Sequence, residues 1–135
     1  MAAVSDRGAM IRGMEPVLDP ATWHFVTVTD VSVIADTSPL ATFVEEEGLS
    51  LILSAEDAGN AGLSTDMPMA RITLTVHSAL DGVGLTAAVA SALADAGIPC
   101  NMVAAFHHDH AFVPLDDAPR ALAILQDLAA SEADA

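Results

Sequence analysis

Lysine is absent from this chain of 135 residues, and arginine alone makes up the 4 basic residues that face 19 acidic ones. The formal net charge of −15 repels phosphate backbones, which excludes nucleic-acid binding as a primary role and disfavours anionic membrane surfaces. The acidic residues are spread along the chain rather than blocked, a pattern that favours solubility. Cysteine occurs once, at Cys100, so no internal disulfide can form and nothing points to an oxidising compartment. Within its apolar run this thiol reads as a small core residue. No run approaches the ~18 apolar residues of a membrane-spanning helix. The opening "MAAVSDRGAMIRGM" has mixed charge and no apolar stretch, unlike a signal peptide. The expectation is a cytoplasmic, soluble protein. Aromatic residues are 4% of a chain that is 53% hydrophobic, so the core must be built mostly from Ala, Val, Leu and Ile. Nucleophile elbow, phosphate-binding loop and dinucleotide fingerprint are all missing. The chain is therefore expected to have no catalytic residues and no cofactor.

Hydrophobic periodicity gives the organisation. Residues 6–18 suit a short helix, ended by Pro20, and "WHFVTV" (23–28) has the β-branched and aromatic make-up of a strand. In "DTSPLATFVEEEG", Thr37 or Ser38 offers a cap, Pro39 a first turn and Gly48 a stop, which predicts a short helix. "LSLILS" (49–54) alternates as a strand, "AEDAGNAG" predicts a helical turn or loop, and residues 59–68 are the most linker-like stretch. In "ARITLTVH", Ile72, Leu74 and Val76 alternate with Thr73, Thr75 and His77, a strand with one buried face. Ser78 or Asp81 can then cap a helix to Ala96, with Leu85, Val89, Leu93 and Ala96 on the buried stripe and Gly97 as its stop. "IPCNMVAAFH" and "HAFVP" predict two more strands. A closing helix follows, capped by Asp116 or Asp117, with Pro119 in its first turn and Leu122, Leu125 and Ala129 facing inward.

Three of the five histidines crowd into "AFHHDHAFVP". Two strands flank this stretch with almost nothing between them, so it predicts a hairpin turning near His108 and Asp109, with His107 opposite His110. Successive strand residues point to opposite faces, so His107 and His108 cannot both aim at one ion from a regular hairpin. A metal centre needs three or four converging ligands. The expectation is a turn with partly exposed histidines and no metal. "EEE" (45–47) reads as a solvated end of the preceding element.

The segment from Arg71 to Leu128 resembles an ACT domain, a small βαββαβ module, and is most similar to the aspartokinase-like branch that also holds the cytosolic arginine sensors. The resemblance rests on a combination of features: Gly84–Leu85 at the turn into the helix, "AGI" at Ala96–Gly97–Ile98, then Asp109 and Phe112–Val113–Pro114. The chain also resembles bacterial proteins of unassigned function that carry an "HDH-FVP" hairpin and look like tandem ACT pairs. "ATFVEEEGLSLILS" is similar to the matching part of those proteins. The resemblance implies an α+β, ferredoxin-like fold with two ACT-like modules in tandem. These would be an N-terminal module at 1–66, short of strands and sharing them with its neighbour, and an ACT domain at 67–135. It also implies an amino-acid ligand at "HSALDGVGLT", where glycines allow close backbone approach and helix amides can hold a carboxylate. Carried over by motif, the ligand contacts are Asp81, Gly82, Val83, Gly84, Leu85 and Asn101. Each has a structural reading beside it: the glycines can simply make a tight turn, and Asn101 can satisfy a strand edge.

Three functions remain open on these grounds. The first is a non-catalytic, regulatory sensor of a small molecule such as an amino acid. The second is an interaction module that only builds an oligomer. The third is a metal-dependent enzyme using His107 and His110. A homodimer or higher homo-oligomer is expected, because small sheets with free edges are commonly paired or covered.

Overall fold

A computed structural model of the chain describes residues 3, 6–76 and 80–133. In chain order the elements are α1 (Arg7–Arg12), β1 (Val17–Val28), β2 (Ala41–Glu45), β3 (Gly48–Ser54), α2 (Ala55–Asn60), β4 (Met69–Leu74), α3 (Leu85–Asp95), β5 (Asn101–Ala104), β6 (Asp109–Pro114) and α4 (Ala118–Ala133). They form two compact units, one made of Met1–Asp19 with Ala70–Ala135 and the other of Pro20–Met69.

In the first unit the alternation of β4 does what its period demands: Ile72 and Leu74 are fully buried, while Arg71 and Thr73 are half-buried on the other face. β4, α3, β5, β6 and α4 follow one another as a βαββα run. The start of β1 lies beside β4, giving the strand order β1-β4-β6-β5. That is the order of a ferredoxin-like sheet, whose fourth strand here comes from before the run rather than after it. Asp19 of β1 anchors it, accepting bonds from Arg71 Nε at 3.0 Å and Nη2 at 2.7 Å. α3 buries Leu85, Val89 and Leu93 as its spacing predicts. It ends in a paired C-terminal motif: Gly97, with φ +75°, donates to Ala94 O, and Ile98 donates to Leu93 O. Arg120 Nη1 of α4 donates to Ala96 O at 2.7 Å and satisfies one more terminal carbonyl. In α4 the buried stripe is Ala118, Ala121 and Leu125, rotated from the expected one, with Leu122 and Ala129 only partly covered. The small side chains of Ala118 and Ala121 let the helix settle closely on the core. α1 is shorter than expected because Gly13 ends it. Asp6 caps it, accepting from Ala9 N at 2.9 Å, and Met10, Ile11 and Met14 are sunk in the same core.

In the second unit the strands are antiparallel in the order β2-β3-β1, with Phe43 opposite Ser50 and Ser50 opposite Thr27. Val28, Leu51, Leu53 and Ala58 of α2 make its core. Ser54 caps α2 by accepting from Asp57 N at 3.1 Å. The helix expected after Pro39 is instead strand β2. Thr42, Phe43 and Val44 favour an extended chain, and pairing with β3 realises that preference. Gly48 is therefore not a helix stop but the first residue of β3, opposite Glu45. Its φ is +152°, and a Cβ there would lie 2.6 Å from the Val28 carbonyl oxygen, so only glycine fits. β1 is longer than expected and passes through Pro20. The pairing of β1 with β3 runs from Trp23 opposite Ser54 to Val28 opposite Leu49, so the missing proline N–H falls outside that stretch.

Candidate functional site

A cavity of about 100 Å³ opens in the first unit, lined by Met10, Leu80, Gly82, Gly84, Leu85, Thr86, Ala104 and Asp109. Three elements meet there. α1 supplies Met10, the loop into α3 and the first turn of that helix supply five residues, and the β5–β6 hairpin supplies Ala104 and Asp109, which face each other across the ladder.

The loop into α3 is built for close backbone approach. Gly84 occupies the N-cap with φ +108° and ψ −16°, and no side chain caps the helix. The N-cap is Gly84 rather than the exposed Asp81, and Ser78, the other expected cap, lies outside the described residues. The first turn of α3 holds no acidic residue either. The stem of Arg7, on α1, lies against Gly84: a Cβ there would sit 2.7 Å from Arg7 Cδ and 3.1 Å from Nε.

Of the six expected ligand contacts, Gly82, Gly84 and Leu85 line the cavity, and Asp81, Val83 and Asn101 lie outside its lining. Val83 is 79% exposed beside the loop. Asn101 is exposed at the start of the edge strand β5, opposite Phe112. Met10, Leu80, Thr86, Ala104 and Asp109 were not foreseen as cavity residues. Asp109 carried a signal, being a carboxylate in an apolar strand, and it is 92% buried. Met10 carried none, since only folding brings α1 here.

The hairpin turns two residues earlier than expected. Ala105 N donates to His108 O at 3.0 Å, placing Phe106 and His107 at the tip, and His110 faces Val103 rather than His107. His107 is exposed, with its ring edge-on to Phe106 at 5.0 Å. His108 is half-buried, and its Nδ1 donates to Val76 O at 3.4 Å. His110 shares a 3.0 Å hydrogen bond with Thr73 Oγ1. Burial chiefly, then the charge of Arg71 and of His108, holds His110 below the usual histidine range, and the opposing pull of Asp109 is smaller. Burial likewise pushes the Cys100 thiol up, as for a core residue rather than a nucleophile. Among the described residues no three of His, Cys, Asp and Glu gather within reach of one ion. His77, expected beside the loop, lies outside the described residues.

Fold and cavity together define a small α+β module with the sheet order of ferredoxin-like domains and a cavity beside the glycine turn into α3. Sequence profiles of the ACT domain match residues 3–70 and 70–127, and the chain belongs to the ACT-domain family as a tandem pair. ACT domains are regulatory, ligand-binding modules rather than catalytic ones. No curated protein matches the chain. The crystal structure of a Vibrio cholerae protein of unknown function, described as a possible transport protein, is similar at 45% identity over 86% of this chain and 89% of that one, with a TM-score of 0.79. The ligand-free regulatory subunit of aspartate kinase from Thermus thermophilus shares the fold at 10% identity, covering 84% and 95%, with a TM-score of 0.65. Protein Atu0741 from Agrobacterium tumefaciens does so at 16% identity, covering 81% and 84%, with a TM-score of 0.63. No described helix is long and apolar enough to cross a membrane.

Proposed function

We propose that this protein is a non-catalytic regulatory module that binds a free amino acid at the cavity in front of α3. One observation carries the reading: the cavity is lined both by the glycine turn at the N-terminus of α3 and by the acidic residue Asp109. The two ends of a zwitterion need just these partners. Backbone N–H groups at a helix start suit its carboxylate, and a carboxylate suits its ammonium. About 100 Å³ admits the charged head of an amino acid, with the side chain directed outward past Leu80, which is 69% exposed. Asp81, Val83 and Asn101 stay in the proposal as contacts made by a larger side chain or through a second protomer. The module boundary near residue 66, a cytoplasmic location and a homo-oligomeric state belong to the same reading. For the oligomer, support comes from the edge strand β2, where Phe43 is 73% and Val44 83% exposed.

The test is a thermal-shift screen of the full chain against the common amino acids and divalent metals. A ligand specific to the folded state raises stability by RT ln(1 + [L]/Kd), about 2.7 kcal/mol at a hundred times Kd. One amino acid, or a few, should raise the melting temperature in a saturable way, and Asp109→Asn should weaken that response. A screen in which no amino acid does so refutes the reading.

A further inference from the structure

We propose that Arg7, on the helix α1 that precedes the first strand, is the carboxylate-recognising side chain of this cavity, and that Glu132 of α4 competes with the ligand for it. The inference rests on the amino-acid reading for the identity of the ligand but not for its charge.

A chain of net charge −15 with no lysine repels anions, so any carboxylate it binds needs a local cation. The chain has four arginines. Arg71 bonds Asp19 through two nitrogens, at 3.0 and 2.7 Å, and Arg120 is occupied by the end of α3 at 2.7 Å. Arg12, exposed at the last position of α1, is turned back along its own helix, with Nη1 3.0 Å from where a Cβ of Gly8 would stand. Arg7 differs from these three. Its stem crosses the bare α-carbon of Gly84, a cavity residue, and the contact exists only because glycine has no Cβ. Met10, three residues on and therefore on the same face of α1, lines the cavity itself. Burial of Met10 and Ile11 holds α1 in place, so the arginine is presented from a fixed element.

The guanidinium is engaged only loosely. Its ion-pair partner Glu132 stands 3.6 Å away, too far for a hydrogen bond, and the Arg7 side chain is 55% exposed. A planar group with five donors, whose stem lies against the glycine at the N-cap of α3, is suited to a two-pronged grip on a carboxylate. Glu132, a carboxylate in the same neighbourhood, then acts as a stand-in that a ligand must displace.

The experiment is an acetate titration of the ¹⁵N-labelled full chain at constant ionic strength, following the amide signals of Gly82, Gly84, Leu85 and Thr86. The wild type should shift saturably. Arg7→Gln should weaken apparent affinity about tenfold, the lower end of what a hydrogen bond to a charged group contributes, given the exposure of the side chain. Glu132→Gln should strengthen it severalfold. A merely structural role for Arg7 would move the baseline spectrum and stability without this opposed pair of effects. Equal acetate affinity in wild type and Arg7→Gln, or no saturable shift in the wild type, overturns the proposal. If acetate shifts follow the expected pattern while no amino acid binds, the charge assignment stands and the amino-acid reading fails. If an amino acid binds equally well to Arg7→Gln, the amino-acid reading stands and the role of Arg7 fails.

Discussion

Gly84→Ala should be among the more damaging single-atom changes on the surface of this protein, and the reason is worked from two separate observations. The backbone at Gly84 has φ +108°, a region side chains rarely enter, and the strain of forcing an alanine there is about 1–3 kcal/mol. The added Cβ would also stand 2.7 Å from Arg7 Cδ and 2.9 Å from Cγ, so the arginine stem must leave its place. Gly97 provides the control. Its φ is also positive, +75°, but nothing lies within 4 Å of an added Cβ. Gly97→Ala should therefore cost only the backbone share, about 1 kcal/mol, and Gly84→Ala about 2–3 kcal/mol once the displaced arginine is included. In a chain of this size that separates the two melting temperatures by roughly 4–8 °C. Thermal melts followed by circular dichroism would measure it. A double-mutant cycle sharpens the test: in an Arg7→Ala background the cost of Gly84→Ala should fall towards that of Gly97→Ala. If Gly84→Ala costs no more than Gly97→Ala, or if removing the arginine leaves its cost unchanged, the described packing of α1 on the α3 loop is refuted.

Three further outcomes are expected. The folded state holds His110 neutral below the ordinary value of 6.5, so the unfolded chain binds more protons in that window; stability should fall as pH drops through about 6.5 towards the lowered folded value, and His110→Asn should flatten this slope in urea melts taken from pH 7.5 to 5.5. A slope unchanged by that substitution contradicts the assignment. Asp19→Ala removes a carboxylate that is 16% exposed from an arginine that is 21% exposed; between the surface and buried limits for such pairs, the loss should be about 2 kcal/mol by equilibrium denaturation, and a loss under about 0.5 kcal/mol would show the pair to be incidental. Elemental analysis of the purified protein should find no stoichiometric zinc, and His107→Gln should leave the melting temperature unchanged; near-stoichiometric zinc that disappears together with stability in His107→Gln/His110→Gln would instead promote a metal enzyme.

Much of the fold was legible from local pattern. The alternation from Ile72 to Leu74, the stripe Leu85, Val89, Leu93 and the stop at Gly97 depend on periods and backbone preferences that any neighbouring residues obey, and the structure keeps all of them. The glycine turn was legible too, and Gly84, with φ +108° and Arg7 against its α-carbon, needs the freedom that only glycine has. "DTSPLATFVEEEG" misled because proline, capping residues and a glycine suit both a short helix and a hairpin. The choice was made by β3, a strand that offered Thr42, Phe43 and Val44 partners for their extended preference. The hairpin, turned two residues earlier than expected, was set by which residues of β5 and β6 could face the core, with Ala111 and Val113 both fully buried. The cavity lay furthest from what pattern can reach. Arg7 and Met10 stand more than seventy residues before Gly84, and Asp109 more than twenty after it. The identity of each residue, its charge and its local preference were determined by the sequence alone. That Met10, a glycine turn and Asp109 should line one cavity was decided by the burial of Met10, Ile11 and Leu85 in one core, because only a shared core can bring residues so far apart in the chain together.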